Sequence, residues 1–260
     1  MDDDELLRYS RHLLLPSWGE DEQQVLRQAR VLLIGMGGLG SASAFYLAAS
    51  GVGTMHLCDH DQVDISNLQR QILHTTATVG DSKVASAIAA LVRLNPGVAL
   101  VGHENKVDAS FLEDLLPTVD VVLDGSDNFD TRLQVNAACV KHAIPLVSGA
   151  ALGWEGQLSV YDTRFHQSPC YRCIYPEVPE ETRTCHQSGV LSPLVGVMGS
   201  LMAVETIKLL TGQGVTLTGR FLLYDSRRGE FRTLKAGRDL ACPVCCHRDQ
   251  EDRSCHPIRM

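Results

Sequence analysis

The hexapeptide Gly35-Met36-Gly37-Gly38-Leu39-Gly40 follows the apolar run Val31-Leu32-Leu33-Ile34 and opens a helical pattern. Glycines in that setting permit a tight turn and let a phosphate approach the backbone amides at a helix N-terminus. Asp59 comes 19 residues after Gly40, at the end of the run Met55-His56-Leu57-Cys58, where a carboxylate can accept hydrogen bonds from ribose hydroxyls. The hexapeptide alone is weak evidence. Strand, helix and acid together predict a nucleotide site rather than a merely structural glycine turn, with Gly35, Gly37, Gly38, Gly40 and Asp59 as its contacts.

The residues after Asp59 do not read as a dehydrogenase, because cations cluster where a triphosphate would lie. Arg70 and Asn67 sit in Ser66-Asn67-Leu68-Gln69-Arg70-Gln71. Lys83 falls in the first turn of a helix beginning near Asp81 or Ser82, where the macrodipole disfavours a cation by roughly 0.3 to 1 kcal/mol. A bound anion would reverse that penalty; the alternative is a solvated surface lysine. Asp124 and Asp127 come at the end of the run Val119-Leu123, facing the ligand crevice of an open parallel sheet, and one of them could hold Mg²⁺ beside substrate phosphates. Their alternative is a role as strand-end caps.

Cys170-Tyr171-Arg172-Cys173 and Cys242-Pro243-Val244-Cys245 are two C-x-x-C pairs separated by the 68 residues 174–241. Four thiolates with that local spacing suit a tetrahedral, and therefore structural, Zn²⁺ site. A thioredoxin-like redox pair is the competing reading, and Cys246 or His247 could replace the fourth ligand. Cys185 stands apart in a polar stretch with two prolines, between Arg183 and His186, where a thiol of lowered pKa could act as a nucleophile or be inert. Cys58 and Cys139 read as core fillers.

The elements that must position these residues change character near Gly149. Before it, strand-length apolar runs alternate with helical patterns at 41–50 and 82–94, which predicts a parallel, doubly wound sheet. After it come strand-like Gly156-Tyr161, an apolar helix from about Val190, and a hairpin pairing 221–224 with 230–234, predicting antiparallel strands that extend the sheet. The expected fold is α/β: a Rossmann-like doubly wound, mainly parallel sheet extended by antiparallel C-terminal strands, with a structural zinc site. One domain is expected over 1–246, with a nucleotide-binding half at about 28–149 and a carrier and zinc half at about 150–246; 247–260 is expected to be a mobile tail.

The chain has 260 residues, with Lys plus Arg 23 against Asp plus Glu 31 and a net charge of −8. That balance weighs against nucleic acid as a main partner. The acidic start Met1-Asp2-Asp3-Asp4-Glu5 is unlike a signal peptide, and the apolar stretch 190–204 is too short and too rich in glycine and serine for a membrane span, so a cytoplasmic protein without a membrane partner is expected. Nine cysteines in a reducing compartment point to metal binding or thiol chemistry before disulfides.

Taken together, the chain resembles the ThiF/MoeB/HesA family, bacterial relatives of the ubiquitin-activating enzymes, from about Leu6 to Cys245. The resemblance rests on Arg8-Tyr9-Ser10-Arg11, the glycine loop, Asp59, the 66–71 motif, Val79-Gly80-Asp81-Ser82-Lys83, Ser126-Asp127-Asn128 and both cysteine pairs. It implies adenylation of the C-terminal Gly-Gly carboxylate of a ubiquitin-like sulfur carrier, ThiS-like or MoaD-like, using ATP and Mg²⁺. It also implies Asp59 as ribose ligand, Asn67, Arg70 and Lys83 as phosphate contacts, and Asp127 as the residue organising Mg²⁺. Arg11 is similar to the arginine lent to a partner subunit's ATP, which implies a homodimer. Gly125-Ser126 stands where many relatives read Cys-Thr. Cys185 matches a loop cysteine that forms a covalent sulfur link to the carrier in ThiF-type members and is dispensable in MoeB-type ones. With no rhodanese-like stretch after Cys245, the sulfur donor is expected to be a separate protein. The competing functions are an NAD-dependent oxidoreductase, a non-catalytic zinc-stabilised scaffold that binds carriers, and a tRNA-modifying relative.

Overall fold

The computed structural model describes residues 1–177 and 189–246. Cys185, His247 and the 247–260 tail lie outside the described residues. Eight strands form one sheet in the order β3-β2-β1-β4-β5-β6-β7-β8. The strands are β1 (Arg30–Ile34), β2 (Thr54–Cys58), β3 (Ala99–His103), β4 (Val121–Asp124), β5 (Leu146–Leu152), β6 (Glu155–Tyr161), β7 (Arg220–Asp225) and β8 (Glu230–Lys235). Pairing is parallel from β3 through β5 and antiparallel from β5 onward. The change falls on the strand containing Gly149, as the hydrophobic pattern predicts.

Three short N-terminal helices, α1 (Asp3–Arg8), α2 (Ser10–Leu13) and α3 (Glu20–Gln28), precede the sheet. Between its strands run α4 (Gly38–Ala49), α5 (Lys83–Leu94), α6 (Ala109–Leu115) and α7 (Phe129–His142); α8 (Tyr171–Ile174) and α9 (Ser192–Thr211) follow β6. The hydrophobic pattern predicts none of β3, α6 and α7. Strand β3 lies at the sheet edge with most of its residues exposed, so no buried apolar run marks it. In α7 the apolar residues are spread around the helix, leaving no single stripe to detect.

Helices α5 and α7 begin where a local side chain satisfies a free amide. The Ser82 hydroxyl accepts the Ala85 N–H and the Asn128 side chain accepts the Thr131 N–H, caps worth about 1 kcal/mol each. In α9, Pro193 opens the helix and Gly212, left-handed at φ +68°, ends it. This helix is the one described segment long and apolar enough to cross a membrane, but Leu194, Met198 and Met202 are buried against the sheet and α4. Its Gly199 lets it approach α4 so closely that a methyl there would overlap the Leu39 carbonyl, and the Ser43 hydroxyl reaches the carbonyls of both Leu39 and Gly199.

Candidate nucleotide cleft and four-thiol centre

A cleft of about 250 Å³ opens at the C-terminal ends of β1 and β4. Gly35 leaves β1 at φ +89°, a conformation L side chains resist, and a Cβ on it would sit 3.0 Å from the Gly125 carbonyl oxygen after β4. A methyl at Gly40 would overlap the Gly35 carbonyl, so the turn folds back on itself only with glycine there. The result is a bare backbone cradle at the N-terminus of α4, whose Gly37 N-cap has no side chain to fill it.

Met36, at the centre of the loop, is fully buried and held at both ends. Its N–H donates to Asp59 Oδ2 at 2.7 Å, and its carbonyl accepts from His74 Nε2 at 2.9 Å. Burial pulls the His74 pKa below its ordinary 6.5 and keeps the ring neutral, which suits that donor role, while Nδ1 faces the Ser86 hydroxyl at 2.9 Å. Asp59 Oδ1 also accepts the Asp61 N–H, so its two oxygens tie the glycine turn to the chain after β2, and each retains acceptor capacity.

Lys83 is 5% exposed, which removes the solvated-lysine alternative; its ammonium pairs with Asp61 at 2.7 Å. Arg70 lines the cleft, with one guanidinium N–H on the Ser66 carbonyl. Of the two acids at the end of β4 and in the turn that follows, Asp124 is fully buried and accepts the Ser126 N–H, whereas Asp127 is exposed on the cleft wall. Gly35, Gly37, Gly38, Asp59, Arg70, Lys83 and Asp127 therefore share one cavity. Gly40 lies behind it. Asn67 is buried and turned to its own loop, where its Oδ1 accepts the Asp64 N–H, and Arg11 is exposed on α2 away from the cleft lining.

Four residues of this neighbourhood escape sequence reasoning. Arg132 and Tyr171 line the cleft, as does Gln71, 3% exposed with a buried Oε1 that finds no partner among the described residues. His74 sits beneath the loop. Arg132 and Tyr171 carry no local signal because α7 and α8 must first pack over the sheet, and His74 takes its partners, Met36 and Ser86, from two other elements; only Gln71, inside the 66–71 motif, is within reach.

The four predicted thiols meet. Cys170, Cys242 and Cys245 are buried, and sulfur separations are 3.6 Å for Cys170–Cys242, 3.8 Å for Cys170–Cys173 and 3.4 Å for Cys173–Cys245. A tetrahedral ion with Zn–S bonds near 2.3 Å requires sulfurs about 3.8 Å apart, so the donor set fits zinc in type and size. Cys246 is not one of the four, and hydrogen bonds from Cys170 and Cys173 hold the Cys242 thiol down at about 7. By contrast, burial pushes Cys58 up to about 12 and Cys139 higher still, as inert core thiols. The thiol centre is not remote from the cleft, as its place at the chain's C-terminal end suggests: Tyr171, between two of its cysteines, is a cleft residue.

Fold and site define an open α/β sheet protein with a glycine-lined cleft at its strand ends and a four-thiol centre beside it. The ThiF family model matches residues 9–244, and the chain belongs to the ThiF family. It is 45% identical to the molybdopterin-synthase adenylyltransferase of Escherichia coli K12 over 245 residues, covering 94% of this chain and 98% of that one. It is 44% identical to the sulfur carrier protein ThiS adenylyltransferase of the same organism, over 94% and 97%. A crystal structure of E. coli MccB with MccA-N7isoASN superposes with a TM-score of 0.82 at 25% identity, over 92% of this chain and 74% of that one.

Proposed function

We propose that the protein is an adenylyltransferase that activates the C-terminal carboxylate of a ubiquitin-like sulfur carrier for thiamine or molybdopterin biosynthesis. Near-full-length identity of 45% and 44% to two sulfur-pathway adenylyltransferases carries this reading. The cleft supports it by gathering a glycine cradle, two cations and an exposed acid.

In this reading the Gly37–Leu39 amides receive phosphate at the head of α4, and the spare lone pairs of Asp59 accept the ribose hydroxyls. Arg70 and Lys83 neutralise charge as the carrier carboxylate attacks the α-phosphorus and pyrophosphate leaves, since two anions must otherwise meet. Asp61 keeps Lys83 aimed at the cleft in the absence of substrate. Asp127 anchors Mg²⁺, which when bound offsets phosphate charge. Zinc in the thiol centre has no open ligand position and is structural. Asn67 acts by shaping the 64–67 turn.

The protein works as a homodimer in which Arg11 serves the partner's cleft. Exposed apolar residues near Arg11, Leu7 and Leu14 at 75% and 72% exposure, support a covered surface there. Sulfur comes from a separate donor protein, in the cytoplasm, where Cys58 and Cys139 stay reduced.

ATP–pyrophosphate exchange is expected to require a carrier ending in Gly-Gly and to be lost in Asp127→Ala. Exchange without a carrier, or intact in that variant, overturns the reading. Cys185→Ser is expected to leave adenylation intact; a reducible carrier conjugate mapped to Cys185 assigns that thiol to the later sulfur-transfer step.

A further inference from the structure

Asp127 is exposed, yet the turn that carries it is held unusually tightly. Gly125 donates its N–H to the Ile34 carbonyl at 2.9 Å, and Ser126 donates its own to Asp124 Oδ1 at 2.9 Å. The Ser126 carbonyl is taken by Arg132 Nη2. The same guanidinium reaches across to β5, donating to the Gly149 carbonyl at 2.9 Å and the Ser148 hydroxyl at 3.3 Å. One fork therefore ties the turn after β4 to the neighbouring strand.

Arg132 is itself buried at 7% exposure, and the fully buried Asp124 supplies the opposing charge. Burial opposes the cation most strongly of any single influence, but Asp124, Tyr171 and Tyr175 together more than offset it, and the guanidinium pKa is raised. Asp124 Oδ2 has no hydrogen-bond partner among the described residues. Asp124 is fully buried with one oxygen committed to the turn, and Asp127 is the acid of this turn that lines the cleft. On the other side, the Tyr171 ring, 3% exposed, stands next to Arg132. Tyr171 belongs to the Cys170–Cys173 knuckle, and its N–H donates to Asn136 Oδ1 at 2.7 Å, one turn along α7 from Arg132.

We propose that Arg132 is a positioning residue for Asp127: its guanidinium fork locks the turn 125–128 against β5, with Tyr171 of the thiol knuckle as its backstop. A lysine would keep the charge facing Asp124 but not the planar fork that serves three acceptors at once. Fork geometry, rather than charge, sets the place of Asp127. The proposal rests on the reading of Asp127 as the Mg²⁺ anchor.

Arg132→Lys tests it in the full chain. The variant is expected to fold, with its turn 125–128 displaced by about 1 Å in a crystal structure, and to exchange pyrophosphate with kcat lowered roughly 100-fold. Its half-saturating Mg²⁺ should rise about tenfold while KM for ATP changes little, a split that simple loss of folded protein does not produce. Tyr171→Phe, which removes only the hydroxyl, should give a smaller loss of the same kind. If the lysine variant does not fold, the pair Asp124→Asn with Arg132→Gln removes both charges together and is read in the same way. A variant with the turn in place, kcat unchanged and Mg²⁺ requirement unchanged overturns the proposal. Wild-type protein without carrier-dependent exchange refutes the adenylation reading instead, and the position of the turn in the variant crystal still decides the role of Arg132.

Discussion

The two walls of the cleft are built from the same element, a strand-to-helix turn, by opposite means. After β1 the turn is shaped by what is missing: glycines at 35 and 40 let backbone pack on backbone where a methyl would collide. After β4 the turn 125–128 is shaped by what is added, a buried arginine from α7 that reaches back to carbonyls in two elements. The first wall takes its shape from the Gly35–Gly40 contact within one βα unit, with Gly125, Asp59 and His74 bracing it from outside. The second depends on β5, α7 and the thiol knuckle arriving together, so it is the wall that responds to distant changes.

The largest effect should come from the thiol centre. Metal analysis is expected to find one Zn²⁺ per chain, and Cys173→Ser or chelation should release it and lower the melting temperature, because structural zinc contributes folding free energy directly. Hydrogen exchange should rise first in α7, α8 and the turn 125–128, and last in the loop 35–40. Equal loosening of both walls would break the comparison, and a metal-free protein with unchanged melting would remove its basis.

Gly40→Ala attacks the other wall. A methyl forced onto the Gly35 carbonyl should cost about 3 kcal/mol in denaturant unfolding and abolish binding of ATP, with zinc content unchanged. Undiminished ATP binding would show that the loop does not form the cradle.

A smaller effect is expected at the joint between the walls and the thiols. Asn136, 1% exposed, accepts the Tyr171 N–H and places its amide 3.7 Å from the Cys170 sulfur. Asn136→Ala strands that buried N–H and should cost about 2 kcal/mol, with weakened zinc retention measured by competition with a chromogenic chelator. Retention equal to wild type would detach α7 from the thiol centre.

The smallest effect is a pH dependence confined to the glycine wall. His74 is held neutral by burial, with its folded pKa below 6.5, so the unfolded chain binds more protons once the pH drops through about 6.5. Stability contributed by neutral His74 is therefore fully present above that pH and is lost as the pH falls toward the folded pKa. His74→Gln should flatten the loss of stability between about pH 7 and 5.5, followed by denaturant midpoints; an unchanged slope assigns the acid sensitivity to His56 and His103, whose pKa values burial also lowers.

The same division governs how much of the molecule is legible in the chain alone. The glycine turn, Asp59 and the parallel half are legible because their rules are local: hydrophobic period, a glycine where φ is positive, an acid at the end of the next strand. The C-x-x-C pairs are legible because four thiols at that spacing have few other uses. Lys83 is half legible, its position in the first turn of α5 evident but its partner Asp61 not, since that pair bridges 22 residues through a loop.

Fold class, the glycine cradle and the meeting of the four thiols therefore follow from residue types and their spacing along the chain. Packing between elements sets Asp127 on the cleft wall while Asp124 stays buried, turns Asn67 toward its own loop, and brings Arg132, His74 and Tyr171 around the site. A short-range motif fixes backbone shape through sterics within a few residues. A buried arginine or histidine acquires its role from acceptors on other elements, here Met36 for His74 and Ser126, Ser148 and Gly149 for Arg132, which come within reach only when helices pack over the sheet.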